Sequence, residues 1–104
     1  MEVKFDKEYL SDLYHKGKTK DKSHRYQPSV IKRYVRCVDY LYAVLKPEEL
    51  YQYKSLNFEK LKGDKKDIWS IRVNDQYRVA FTLTHGDEAL LTICNIIELS
   101  NHYR

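Results

Sequence analysis

Glycine, proline and cysteine are all scarce in this chain: three, two and two of 104 residues. Each shortage excludes something. Gly17, Gly63 and Gly86 stand alone, so no glycine-rich phosphate loop can form. Cys37 and Cys94 show no CxxC spacing and no clustered histidine, which excludes a zinc knuckle and a disulfide framework. Each lies in an apolar pattern, as expected of buried free thiols in a cytoplasmic protein. No apolar run is long enough to span a bilayer, so no membrane partner is expected. The opening MEVKFDKEYL lacks the apolar stretch of a signal peptide. Repeats, linkers and low-complexity segments are also missing, and the length suits a single domain over 1–104.

What is abundant is tyrosine and positive charge. There are ten tyrosines against three phenylalanines and one tryptophan, with a net charge of +4. Basic groups interleaved with flat rings suit single-stranded RNA, held by phosphate contacts and base stacking. Most of the tyrosines are nonetheless expected to edge the core, ring buried and hydroxyl wet.

The chain is organised around residues 61–81, LKGDKKDIWSIRVNDQYRVAF. A basic loop (Lys60, Lys62, Lys65, Lys66) leads into two alternating segments. Trp69, Ile71 and Val73 oppose Ser70, Arg72 and Asn74; Tyr77, Val79 and Phe81 oppose Arg78, Ala80 and Thr82. Alternation of period two marks half-buried strands, and Asn74-Asp75-Gln76 suits a tight turn. Only an odd-length loop keeps both apolar sets on one face. A three-residue loop at 74–76 pairs Val73 with Tyr77, Arg72 with Arg78, Ile71 with Val79 and Trp69 with Phe81. Arg72 and Arg78 then stand side by side on the open face, an unfavourable pairing of like charges. A phosphate would relieve it, because guanidinium forks match its oxygens. Two solvated arginines, each near an aspartate, would satisfy the same pattern.

The rest reads as an α+β layout. Val3 and Phe5 form a short strand, and Asp6 is placed to cap a helix over 7–16 that stops at Gly17. Residues 17–27 are basic (Lys18, Lys20, Lys22, Arg25) and suit a mobile surface loop, either a polyanion contact or a solvated connection. Pro28 opens a longer helix with an apolar stripe at Ile31, Tyr34/Val35, Val38, Leu41/Tyr42 and Leu45. Its other face holds Lys32, Arg33, Arg36 and Asp39, facing RNA or an acidic partner segment. One further helical turn is expected at 47–50, a strand at 56–59, a turn at Gly86-Asp87 and a central, doubly covered strand at 89–99.

The motif LKGDK (61–65), with Trp69-Ser70, Arg72-Val73-Asn74 and Tyr77-Arg78, resembles the HigB branch of the RelE/ParE superfamily, toxins of bacterial type II toxin–antitoxin pairs. The likeness extends through both helices and to the closing 96–103. It implies two N-terminal helices packed on a curved antiparallel β-sheet. It implies a ribosome-dependent mRNA endonuclease acting on mRNA in the ribosomal A site by 2′-hydroxyl attack, without metal or other cofactor. It also implies a helix-turn-helix, HigA-like antitoxin as partner. Three positions depart from the pattern: Glu59 stands where many relatives have His, Tyr77 where many have Trp, and Asn101-His102-Tyr103 replaces Asp-Tyr-His.

Within that resemblance the chemistry can be divided among residues. A 2′-hydroxyl attack needs a base, cations on the phosphate and an acid for the leaving 5′-oxygen. Arg72 and Arg78 supply charge but cannot act as bases. Lys62 positions the phosphate or acts as base; His102, with a reference pKa near neutrality, is the better acid–base candidate, Glu59 is a rival base, and Tyr103 stacks or holds an oxygen. Lys60, Lys65, Lys66 and Tyr77 are expected to bind RNA. Trp69 belongs to the core. The alternatives are a ParE-type protein-binding toxin that inhibits DNA gyrase, or a catalytically inactive member that regulates its antitoxin.

Overall fold

The computed structural model describes residues 1–61, 67–87 and 91–101. A strand β1 (Glu2–Phe5) leads into helices α1 (Glu8–Lys16) and α2 (Pro28–Ala43). Two 3₁₀ turns, Pro47–Gln52 and Lys54–Leu56, precede strands β2 (Glu59–Lys60), β3 (Ile68–Arg72), β4 (Arg78–His85) and β5 (Thr92–Ser100). The strands form one sheet in the order β1-β5-β4-β3-β2. This is the α+β arrangement that the sequence implies, with one refinement. Three pairs are antiparallel, but β1 lies parallel to β5, Val3 beside Cys94 and Phe5 beside Ile96. No described helix is long and apolar enough to cross a membrane.

The central hairpin has the register that its alternation requires: Trp69 faces Phe81, Ile71 faces Val79 and Arg72 faces Arg78. Val73 N–H donates to the Tyr77 carbonyl at 2.9 Å, which closes the ladder. The Asn74 side chain holds the turn, its Oδ1 accepting from the N–H groups of Gln76 and Tyr77 at 2.9 and 2.8 Å. Against β4, strand β5 carries one extra residue. Ala80 pairs with Glu98 but Phe81 with Ile96, so Ile97 bulges. The bulge shifts the side-chain phase and brings both Ile96 and Leu99 into the core, three positions apart.

The core lies between this face of the sheet and the helices. From α2 it takes Val30, Tyr34, Cys37, Val38 and Leu41, a stripe at helical spacing. This differs from the expected stripe. Ile31 and Val35 are only half-buried, and Leu45 is 78% exposed. The helix ends at Ala43 because Val44 turns extended (ψ 146°), which carries Leu45 away from the core. The Met1 ammonium donates to the carbonyls of Leu41 and Tyr42 (3.4 and 3.3 Å) and of Val44, a cation against the negative end of α2.

Other local expectations are corrected. Asp6 does not cap α1: Lys7 is the N-cap, with no side-chain bond, and Asp6 N–H instead donates to Ile96 O at 2.8 Å, prolonging the β1–β5 ladder. Leu56 closes a 3₁₀ turn, and the strand after it is confined to Glu59–Lys60. The strand expected from residue 89 begins at Thr92; residues 88–90 lie outside the described set. In the basic connection after α1, His24 stacks on Tyr9 (centroids 3.6 Å) while its Nδ1 lies 2.9 Å from Asp21 Oδ2. That segment is anchored to the core.

Gly17 has φ 72° and donates its N–H to Leu13 O, the left-handed stop of α1. An added Cβ there meets nothing within 4 Å, so only backbone strain opposes substitution. Gly17→Ala should lower stability by about 1 kcal/mol in urea denaturation, and Gly17→Asn by less. Both thiols are free and buried, and burial raises each pKa from 9.0 to about 12. Neither should react with Ellman's reagent at about pH 8 before the protein unfolds. Burial likewise raises Tyr34 and Tyr26 above their ordinary 10.0. A folded pKa above the unfolded one gives stability that is complete at low pH and lost as pH rises. Thermal scans should therefore show the melting temperature falling between pH 9.0 and about 12, less steeply in Cys94→Ala.

Candidate functional site

On the sheet face away from the core, cross-strand pairing aligns two rows. Glu59, Ser70, Ala80 and Glu98 form one; Arg72, Arg78 and Ser100 form the next. Strand alternation thus brings two arginines and Glu59 together from β2, β3 and β4.

Arg78 is not on an open face, as the alternation alone suggests; it is 8% exposed. Its Nε donates to Ser70 Oγ at 2.8 Å, and its Nη2 donates to the carbonyls of Ser70 (3.3 Å) and Asn57. Glu59 Oε1 lies 3.7 Å from the same Nη2. The physical reason is the small Ser70 beside it, together with Asn57. Asn57 takes left-handed dihedrals (φ 43°, ψ 57°) as C-cap of the 3₁₀ turn, and its carbonyl accepts from the guanidinium. Desolvation lowers the Arg78 pKa, Glu59 opposes that shift, and Arg72 adds to it. The group stays cationic, because arginine begins so far above neutrality.

Arg72 is the looser partner. Its side chain is 35% exposed and pairs through Nη2 with Asp75, whose own side chain is 94% exposed. Each arginine therefore has a carboxylate at hand within the fold, Asp75 for Arg72 and Glu59 for Arg78. Part of the like-charge cost is relieved internally.

The remaining candidates divide. Lys60 pairs across from Trp69, so it follows the core-side phase; its Nζ lies 3.7 Å from Asp67 and 5.8 Å from the Trp69 ring centroid. Tyr77 also has the core-side phase, edge-on to Tyr26 at 5.5 Å, and packs against the core. Neither joins the arginine pair directly. Trp69 stacks on Phe58 (4.9 Å) and packs against the core as expected. Lys62, Lys65, Lys66, His102 and Tyr103 lie outside the described residues. Among the described residues, no group of three or more His, Cys, Asp or Glu is placed to hold a metal ion.

Four contributors were hidden in sequence. Ser70 and Asn57 hold Arg78, and nothing local marks either as its partner. Arg33 and Arg36, read only as part of a basic stripe, line an open pocket with Arg72 where α2 passes the end of β3. Their spacing on the flank of the buried Cys37 is the signal that could have located it.

The family profile of HigB-like toxins, described as the RelE-like toxin of the type II toxin–antitoxin system HigB, matches residues 3–95. Comparison with curated protein sequences gives no match. Among solved structures, a YoeB/ParE toxin from Agrobacterium tumefaciens superposes with a TM-score of 0.56 at 15% identity, covering 99% of this chain and 100% of that one. That likeness is one of fold. The hairpin register, the helices on one sheet face and the match over nearly the whole length agree, and the chain belongs to the HigB-like family of RelE-like type II toxins.

Proposed function

We propose that this toxin cleaves mRNA in the ribosomal A site, by attack of the RNA's own 2′-hydroxyl on the adjoining phosphate. As a type II toxin it has an antitoxin partner; the proposed one is a helix-turn-helix protein. One observation carries the catalytic reading: Glu59 Oε1 stands 3.7 Å from a guanidinium that the fold immobilises. A carboxylate and a fixed cation are thus adjacent on one sheet face, which supports Glu59 as the base.

In the proposed step Glu59 takes the 2′-hydroxyl proton as O2′ bonds to phosphorus. The bond from phosphorus to O5′ breaks, leaving a 2′,3′-cyclic phosphate and, after protonation, a 5′-hydroxyl. Arg78 meets the charge growing on the phosphoryl oxygens without having to reorganise. Arg72 contributes a second fork. Its bond to the exposed Asp75 is of the weak, solvated kind that an incoming phosphate can displace. His102 is the proposed acid and Tyr103 a base-stacking group, with Lys62 the rival to Glu59. Lys60, Lys65, Lys66 and Tyr77 are proposed RNA contacts. Lys60 and Tyr77, by their sheet phase, would meet RNA at the edges of the site.

The two arginines should behave differently when truncated. Arg78→Ala strands a buried carbonyl and hydroxyl and should cost about 2 kcal/mol in urea denaturation. Arg72→Ala should cost less than about 1 kcal/mol. Arg78→Lys is therefore the better probe of catalysis, since it keeps a cation but loses the fork. In a translating extract it should slow mRNA cleavage by about 100-fold. Glu59→Gln should slow cleavage by at least about 100-fold while leaving the fold intact. Cleavage at the parent rate by Glu59→Gln would remove Glu59 as the base.

A further inference from the structure

We propose that the pocket between α2 and the end of β3 is a subsite for the backbone of single-stranded RNA, with a base stacked at its rim. This deepens the nuclease reading and rests on it for the identity of the RNA. The pocket has a volume of about 140 Å³ and opens between Arg33 and Arg36 of α2 and Arg72 of β3, with Tyr40 and Ser55 at its walls. Three arginines from two elements thus line one hollow.

Nothing described in the fold neutralises two of them. Among the described residues, neither Arg33 nor Arg36 has an ion-pair partner. Two acidic side chains, Asp39 three positions beyond Arg36 and Glu49 past the end of the helix, bond elsewhere. Asp39 accepts from the Tyr14 hydroxyl at 2.6 Å, and Glu49 accepts from the backbone N–H groups of Leu45 and Lys46 at 2.9 and 2.7 Å. The charges of Arg36 and Arg33 reach the buried Cys37 thiol and partly oppose the effect of its burial, a sign of positive potential at the floor of the hollow. Among the described residues, the ion-pair partner of Arg72 is the exposed Asp75.

The wall chemistry points to nucleic acid. Tyr40 and Tyr53 lie 4.7 Å apart with planes inclined at 50°, and Tyr53 is 39% exposed. A phosphate site bordered by an exposed ring is the recurring arrangement for single strands, in which forks hold the backbone and rings take bases. An acidic helical partner would instead need an apolar stripe of anchors, whereas three arginines line this opening. Placement agrees as well. Arg72 belongs both to this pocket and to the cross-strand pair with Arg78, so a strand seated here continues onto the proposed scissile phosphate.

The test is fluorescence anisotropy with a labelled 2′-O-methyl oligoribonucleotide of about eight nucleotides, which binds but cannot be cut. Arg33→Ala/Arg36→Ala should weaken binding about tenfold at low salt and flatten the log–log salt dependence by roughly 0.7 for each phosphate no longer neutralised. Tyr53→Ala should weaken binding about fivefold with the salt slope unchanged, and Tyr53→Phe should restore it. Arg33 and Arg36 are exposed, so matching thermal melts should verify that the fold is intact. No binding by the parent, or parental affinity and slope in the double variant, overturns the proposal. So does a double variant that loses a polyglutamate peptide but keeps the RNA, which would hand the pocket to an acidic protein. Because the probe is uncleavable, weaker binding by the variants supports the subsite even if the parent fails to cut mRNA in extract, a result that would strike the nuclease reading alone.

Discussion

Arg78 carries a full charge into a nearly dry place, and the sheet is built to answer it. A guanidinium 8% exposed must be met by oxygen atoms in several directions or it costs several kcal/mol. Here a hydroxyl and a carbonyl of Ser70, the carbonyl of Asn57 and the carboxylate of Glu59 meet it. Those partners come from β3, from the turn after the second 3₁₀ segment and from β2. One side chain of β4 therefore ties down three neighbouring pieces of chain. The left-handed backbone at Asn57, unfavourable for most residues, is offset by the bond it makes to this cation. The same network that stabilises the sheet edge sets Glu59 beside a fixed positive charge, so structure and proposed chemistry share one interaction.

The sheet separates its apolar core from its arginine pair by face. Strand alternation directs Ile71, Val79 and Phe81 to the helices and Ser70, Arg72 and Arg78 to the other side. The bulge at Ile97 keeps that division intact along β5. It lets Leu99 remain in the core while Glu98 and Ser100 pair into the two rows of the opposite face. Charge on α2 is arranged in the same way. Cys37 and Tyr34 point inward, while Arg33 and Arg36 flank the edge where β3 ends. Positive charge thus gathers at one border of the sheet.

The hairpin was legible to the residue because two constraints agreed. Period-two alternation requires an odd loop, and taking Asn74-Asp75-Gln76 as that loop sets Arg72 opposite Arg78. The helix stop at Gly17 was legible for a similar reason, since one residue type suits a left-handed turn. What escaped depends on contacts far apart in sequence. The burial of Arg78 follows from Asn57, 21 positions away, and no local pattern encodes that bond. The apolar arc of α2 is wider than the surface available to cover it, so periodicity alone could not choose between Val30 and Ile31 as its inner edge. Asp6 has the right chemistry for a cap, yet the β1–β5 ladder claims its backbone first. A basic stripe on a helix says nothing of depth; only the passage of β3 beside it turns Arg33 and Arg36 into the wall of a pocket.

The parallel contact of β1 with β5 has a consequence for how the molecule comes into being. Glu2 pairs with Ile93 and Phe5 with Ile96, so the first strand docks against the last. Such a pairing has high contact order and incurs a large loop-closure entropy before it is rewarded. While the chain is being made, helices and hairpin can assemble early, yet the N-terminal strand has no seat until residues 93–96 have emerged. The arginine-bearing face lacks its β5 rows for just as long. Closure of the sheet is thereby deferred until β5 has been made.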